Sequence, residues 1–123
     1  MRTLQENGSV TPLRVWDGVT VRVVHGDVLS MAVAELAPGI VVPEHRHVNE
    51  QIGVVIQGSA SFTADGSTVE LGAGGTYRFL ANVPHQVEAG PEGAVFVECF
   101  SPVREDWKTL EPADSATRWP TAE

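Results

Sequence analysis

The sequence has little of three things: cysteine, basic charge and long apolar runs. Only one of its 123 residues, Cys99, is a cysteine, so no disulfide can form within the chain. Eight lysines and arginines stand against sixteen acidic residues, which gives a formal net charge of −8. Proteins that bind nucleic acid displace counterions from phosphates with a basic surface. This charge balance therefore argues against nucleic acid, and equally against an anionic membrane, as a partner.

The printed sequence also has no recognisable targeting segment. Its first ten residues, MRTLQENGSV, lack the apolar core of a signal peptide, and apolar runs elsewhere are only a few residues long. We therefore expect a cytoplasmic protein whose partner is a small-molecule substrate.

Glycine and proline are frequent, with twelve and eight copies, and they separate short segments of β-forming residues. Two of the turns, Asp17-Gly18 and Asp65-Gly66, are strong hairpin signals. The predicted strands include LRVW, VTVRVV, VLSMAVAEL, VNEQIGVVIQG, SASFTA, STVEL, TYRFL, HQVEA and AVFVECF. Eight to ten short strands at regular spacing are typical of a β-sandwich or β-barrel. We predict an all-β fold in one domain.

The predicted β-domain spans residues 13–111. Residues 1–12 are polar and aperiodic, and we interpret them as an arm that is either flexible or swapped onto a partner subunit. Residues 112–123 are a predicted C-terminal tail, and the segment REDWKTLEPAD is expected to form a short helical turn.

Two of the four histidines, His45 and His47, are separated by one residue at the entrance to a predicted strand. Side chains alternate faces along a strand, so both imidazoles are predicted to point to one side with Gln51, while Glu50 points away. Imidazoles on one face are typical ligands of divalent first-row metals. His85, at the start of a later strand, is a candidate third nitrogen ligand.

Two alternatives stay open for these residues. A bulge near the start of the strand would turn Glu50, rather than Gln51, toward the histidines. His45 and His47 could also be solvated turn residues, since a single HxH pair is weak evidence for a metal. His25 has no histidine near it in the sequence and is left out of the site.

The glycines around the histidines extend a pattern that resembles the two sequence motifs of the cupin family. The first motif is matched in spacing by Gly39, His45, His47, Gln51 and Gly58, and the second by Gly74, Leu80, Asn82 and His85. The family usually has Glu at the position of Gln51, Pro at that of Leu80 and Gly at that of Asn82. The two motifs lie in the expected order and, with the strands between them, cover residues 39–87.

The resemblance implies a small antiparallel β-barrel of the cupin jelly-roll type with one divalent metal ion in its mouth. It assigns His45, His47, Gln51 and His85 as metal ligands. The ion stays open among Ni, Zn, Fe, Mn and Cu, since imidazole suits all of them. An amide oxygen in place of a carboxylate leaves the ion its full double positive charge, which favours lyase, isomerase or cyclase chemistry over that of two-His-one-carboxylate iron oxygenases. A dioxygenase with three histidines is not excluded.

A second group of candidates lies in the segment AVFVECFSPVREDW. Glu98 is predicted to share a face with Phe96 and Phe100, and burying a carboxylate there without a partner is costly. The residue is therefore either a general acid or base with a tuned pKa, or the ion-pair partner of an arginine such as Arg78 or Arg104.

This segment resembles the end of small cupins that open the ring of unsaturated uronates in pectin and alginate breakdown. The resemblance implies that Glu98 is the catalytic acid or base, that Phe100 forms an apolar wall, and that Arg104 binds a substrate carboxylate. The acid in that group is usually Asp, so Glu98 is a departure. Similar small cupins include polyketide cyclases, dioxygenases of aromatic substrates and non-catalytic small-molecule binders, and these alternatives stay open.

Three aliphatic residues, Ile52, Val54 and Ile56, lie on the strand face opposite to the predicted metal site. Apolar residues on that face need cover, so we predict a homodimer. Cys99 is expected to be a small core residue.

Overall fold

The computed structural model describes residues 2–114 and 118–120, and within them the chain forms eight strands and two short 3-10 helices. The strands are β1 Leu13–Trp16, β2 Val19–His25, β3 Ser30–Leu36, β4 Val41–His45, β5 Glu50–Ala64, β6 Ser67–Gly72, β7 Thr76–Phe79 and β8 His85–Ser101. The 3-10 helices span Asn7–Ser9 and Glu105–Thr109. The predicted all-β class and the short C-terminal turn are confirmed, while the predicted tail, residues 112–123, lies partly outside the described residues. No helix in 2–114 or 118–120 has the length and hydropathy that a membrane crossing requires.

Every strand pairing is antiparallel, in the order β1-β2-β3-β8-β5-β6, with β4 on β8 and β7 on β5. The two longest strands each contribute to two parts of the structure. The second half of β8 lies between β3 and the first half of β5, and the first half of β8 lies between β4 and the second half of β5. This arrangement wraps the chain into a jelly-roll barrel.

Two of the predicted strand breaks are absent, because glycines bend β5 and β8 without ending them. VNEQIGVVIQG and SASFTA form the single strand β5, and HQVEA and AVFVECF form β8. Gly58 has a φ of 75°, and a Cβ atom there would lie 2.1 Å from the carbonyl oxygen of Gly93. The pairing of the two strands shifts register next to Gly58. The predicted breaks are therefore corners of the barrel, where only glycine allows the two backbones to approach.

Both predicted hairpins are present. Asp17-Gly18 joins β1 to β2, and Asp65-Gly66 joins β5 to β6. Asp65 and Gly66 have φ values of 52° and 75°, the positive values that a type I′ turn requires at both central positions.

The interior of the barrel is filled at one place and hollow at another. Phe62, Tyr77, Phe79 and Phe96 pack with ring centroids 4.5 to 6.3 Å apart. Elsewhere the inward side chains of β2 and β3 are aliphatic and leave a cavity. Trp107, from the second 3-10 helix, is buried against this region.

The segments next to the termini lie against the outer face of the sheet. Arg22 and Glu35 form a buried ion pair at 3.6 Å. The Glu35 carboxylate accepts hydrogen bonds from the backbone N–H of Arg118, and Arg22 Nε donates to the carbonyl of Val10. In this chain, residues near the end of the predicted arm thus contact the barrel of the same subunit.

The interpretation of Cys99 as a core residue is wrong, since its side chain is exposed. It lies on the outer face of β8, between Met31 of β3 and Ile52 of β5, which are 41% and 49% exposed. The described part of the chain leaves this region of the sheet uncovered.

Candidate metal centre

The histidine pair does not lie on one continuous strand, contrary to the prediction. His45 is the last residue of β4, and His47 lies in the connection 46–49 before β5 begins at Glu50. The reason is the pairing partner: β4 pairs with the start of β8, where His45 lies opposite His85, whereas the first residues of β5 pair with the end of β8. The chain has to cross between these two positions, which interrupts the strand.

The structure nevertheless brings the four predicted ligands together. Ligand atoms of His45, His47 and His85 all lie within 4.8 Å of one another. Gln51 Oε1 lies 3.1 Å from His47 Nε2, while Glu50 is exposed on the other face of β5. His25 is not part of this group, and its Nδ1 bonds to the hydroxyl of Ser30.

All three imidazoles are oriented in the same way, by a hydrogen bond from Nδ1 to a backbone carbonyl two residues away. The pairs are His45 with Pro43 at 2.9 Å, His47 with Asn49 at 2.8 Å and His85 with Val83 at 2.9 Å. A carbonyl can only accept, so each Nδ1 carries the proton and each neutral ring has its lone pair on Nε2. Hydrogen bonds of this kind fix the tautomer and ring orientation of metal-binding histidines.

Two of the imidazole lone pairs, those of His47 and His85, lack a donor among the described residues. His85 Nε2 is buried and has no hydrogen-bond partner among the described residues. His47 Nε2 faces Gln51 Oε1, which cannot donate to it, because the Gln51 amide is oriented by its NH₂ group donating to Glu98 at 2.9 Å. Buried acceptors without donors are costly, and a cation would satisfy them. Three imidazole nitrogens and one amide oxygen fit a divalent first-row metal.

Two of the three histidines, His47 and His85, are also in the neutral state that metal binding requires. Burial lowers the pKa of His85 to about 4. Burial, with a smaller contribution from the charge of Arg104, lowers the pKa of His47 as well. At neutral pH both rings are therefore neutral and can donate a lone pair.

Glu98 is buried beside this cluster and forms no ion pair with any residue that the structure describes. One of its oxygens, Oε1, accepts from Gln51 Nε2 at 2.9 Å and from the Tyr77 hydroxyl at 2.5 Å. Burial raises the pKa of Glu98, and the two hydrogen bonds and the charge of Arg104 oppose this rise. Burial also raises the pKa of Tyr77 well above its usual value, so the hydroxyl keeps its proton and donates. The predicted alternative, a salt bridge from Glu98 to Arg78 or Arg104, is absent between these described residues.

Tyr77 is a site residue that the sequence interpretation missed. Tyr77 lies on β7 and Glu98 on β8, and β5 runs between these strands. Gly53 of β5 is the register partner of both Tyr77 and Glu98, and the Tyr77 side chain crosses β5 at this glycine. A Cβ atom on Gly53 would lie 2.4 Å from the Tyr77 hydroxyl oxygen and 2.9 Å from Glu98 Cβ. A glycine inside a strand marks a close approach of neighbours, and this was the available signal.

Arg104 is held rigidly by an acid and two aromatic rings. Its Nε and Nη2 donate to the two carboxylate oxygens of Asp106 at 3.0 and 2.9 Å. Its Cζ lies 4.7 Å from the ring centroid of Phe100 and 4.1 Å from that of Trp107. Nη1 makes no hydrogen bond within the part of the chain that the structure describes, so one edge of the guanidinium is available to an anion.

The predicted catalytic residues and most of the predicted ligands line one cavity of about 60 Å³. Its polar lining consists of His45, Gln51, His85, Glu98 and Arg104. The remaining lining is apolar and includes Phe100, Trp107 and Trp16. His47 faces a neighbouring surface groove. Predicted metal ligands, an acid, an arginine and aromatic side chains are thus grouped around one partly open cavity.

Comparison with known proteins gives the class to which this fold and site belong. A family model described as a cupin domain matches residues 32–100, so the chain belongs to the cupin family. The predicted cupin barrel is confirmed.

Two curated relatives and one solved structure give more detailed similarities than the family model does. The pectin degradation protein KdgF of Dickeya dadantii (strain 3937) is 31% identical over 93 residues, 74% of this chain and 84% of the relative. The dimethylsulfoniopropionate lyase DddW of Ruegeria pomeroyi is 32% identical over 71 residues, 58% of this chain but only 47% of that relative. The structure of KdgF from Halomonas sp. matches with a TM-score of 0.78 and 23% identity, over 86% of this chain and 98% of that one.

Proposed function

We propose that this protein is a metal-dependent cupin enzyme that opens the ring of an unsaturated uronate. The observation that carries the proposal is the cluster of three histidines, two of which line one cavity together with Gln51, Glu98 and Arg104. The similarity to a pectin degradation protein, over most of the length of that relative, supports an acidic sugar as substrate.

His45, His47, Gln51 and His85 would hold one divalent ion, which when bound acts as a Lewis acid toward a substrate oxygen. The carbonyls that accept from the three Nδ1–H groups keep these rings oriented before any ion binds. Gln51 links this set to Glu98 through its NH₂ group.

The reaction is an isomerisation: one C–O bond breaks and one proton moves from oxygen to carbon, with no oxidant, reductant or added group. The substrate has a hemiacetal at C1 and a C4=C5 double bond next to the ring oxygen. The C1 hydroxyl loses its proton, the bond from C1 to the ring oxygen breaks, and C4 gains a proton, which leaves an aldehyde at C1 and a ketone at C5. Glu98 is the group that moves the proton, through Oε2, since Oε1 is already engaged by Gln51 and Tyr77.

Arg104 binds the substrate carboxylate through the guanidinium edge that Asp106 leaves free. Phe100 and Trp107, whose rings are in contact with each other, both pack against this guanidinium and shield it from water. A charged anchor inside the cavity favours an acidic sugar over the neutral aromatic substrates of a polyketide cyclase or dioxygenase. A non-catalytic binding protein could bind its ligand through the same arginine. Measuring turnover distinguishes that alternative from an enzyme.

The test follows the enol-ether absorbance of an unsaturated uronate mixed with metal-loaded protein. We expect turnover by the wild type, and none after chelation or in the metal-deficient double variant His45→Ala/His47→Ala. Arg104→Ala should raise KM by about 10- to 100-fold, because a charge-assisted hydrogen bond to the carboxylate is lost. Arg104→Lys should raise KM by a smaller factor, because an ammonium keeps the charge but not the planar fork of donors. Arg78→Ala, at an exposed arginine on β7, is the matched control and should retain the wild-type KM. Absence of turnover by the metal-loaded wild type, or an unchanged KM in both Arg104 variants, would overturn the mechanism.

A further inference from the structure

Strand β1 presents two successive side chains, Val15 and Trp16, to the same cavity. In a regular strand, neighbouring side chains point to opposite faces. Here the pairing of β1 with β2 shifts register between Arg14 and Trp16, which is the signature of a bulge. Bulges near active sites redirect a side chain, and this one turns the indole of Trp16 inward.

Trp16 lies beside a predicted metal ligand on a strand that does not pair with its own. Its ring centroid is 5.0 Å from that of His45, at the end of β4, with an angle of 55° between the rings. Within the described residues, β4 pairs with β8 and not with β1. The indole therefore closes a seam between two strands that no backbone hydrogen bond holds together.

The cavity is too small for a sugar as it stands. A volume of about 60 Å³ has room for about two water molecules, and ligand pockets usually measure roughly 300 Å³ or more. All but three of the lining residues are buried, which fixes their positions by packing. The three that are partly exposed are Val15, Trp16 and His45. Trp16 is the large side chain among them that is not a predicted metal ligand.

We infer that Trp16 is the wall that admits the substrate and sets its size: the indole shifts to let in one uronate ring, packs on that ring while Arg104 holds its carboxylate, and excludes a second sugar unit. This inference rests on the proposed function for its substrate class. An aromatic ring of this size contributes mainly by apolar contact with the sugar face.

Binding of unreactive carboxylates to metal-loaded protein tests the inference without turnover. We would titrate galacturonate and digalacturonate calorimetrically into the wild type, Trp16→Phe, Trp16→Ala and the control Trp119→Ala, a tryptophan that does not line the cavity. The wild type and the control should bind the monomer at least about tenfold more tightly than the dimer. Trp16→Ala should bind the monomer about tenfold more weakly and lose the discrimination, and Trp16→Phe should be intermediate.

The outcomes separate this inference from the proposed function. Wild-type discrimination in a folded Trp16→Ala variant, or no carboxylate binding by any variant, would overturn the inference. Lost discrimination in Trp16→Ala together with no ring opening by the wild type would support the inference and reject the proposed reaction. Ring opening by the wild type, together with unchanged discrimination between monomer and dimer in Trp16→Ala, would support the proposed reaction and reject the inference.

Discussion

At the scale of single residues, the amide of Gln51 has a role that a carboxylate could not fill. Its oxygen faces His47 and its NH₂ group donates to Glu98. A glutamate, the usual residue of the family at this position, would face Glu98 with a second carboxylate, and two such groups in contact cannot both ionise easily. Gln51, where the family usually has Glu, is therefore compatible with the buried carboxylate of Glu98 beside it.

Removing this amide tests its contribution to metal binding. Gln51→Ala should lower the affinity for a divalent metal by roughly tenfold or more, because one ligand is lost and its link to Glu98 is lost with it. Glu50→Ala, at the exposed neighbour, should leave the affinity nearly unchanged. The test is the metal content of both variants and the wild type after equilibrium dialysis. A larger loss in Glu50→Ala would mean that the carboxylate is the ligand.

The predicted ligands could be named from sequence because their spacing matches a family motif. Tyr77 and Asp106 could not, since the role of each depends on contacts that no local pattern records. Tyr77 reaches Glu98 only because of the register between β5, β7 and β8. The burial of Glu98 was predictable from its phenylalanine neighbours, but its hydrogen-bond partners were not.

At the scale of elements, strand alternation and turn chemistry predicted most of the barrel, and glycine was the source of error. Gly58 reads locally as a strand end, yet the antiparallel partner continues past it and keeps β5 in the sheet. Conversely, nothing local indicates that the chain between His45 and His47 leaves β4, because that break depends on which end of β8 each strand pairs with. Both errors concern long-range pairing, which a one-dimensional pattern does not contain.

The crossing of β5 by Tyr77 depends on the missing side chain of Gly53. Gly53→Ala should lower the free energy of unfolding by about 1–3 kcal/mol, because the new methyl group overlaps the buried Tyr77 hydroxyl and Glu98. Gly8→Ala is the control, since a Cβ atom there meets nothing within 4 Å. Urea denaturation of the two variants and the wild type gives the difference. Equal stability of Gly53→Ala and wild type would show that the strands can separate without cost.

At the scale of the whole molecule, the described residues leave an apolar part of the outer sheet face uncovered. Met31, Cys99 and Ile52 are register neighbours on β3, β8 and β5, and all three are exposed. The hydrogen bonds from Arg22 to Val10 and from Arg118 to Glu35 place the terminal segments elsewhere on the same face, around the ion pair of Arg22 and Glu35. A contiguous apolar patch of this kind is typical of an interface.

We predict that this patch is the interface of a homodimer. The wild type should have twice the mass of the 13.2 kDa chain in light scattering after gel filtration, and its Cys99 should react slowly with a thiol reagent. Ile52→Glu should convert it to a monomer with a reactive Cys99, because association would bury the new charge among the apolar side chains of the patch, next to Cys99. Val69→Glu, at an apolar residue of β6 with a similar exposure of 54%, should remain dimeric. A monomeric wild type, or a dimeric Ile52→Glu variant, would contradict this assignment of the exposed face.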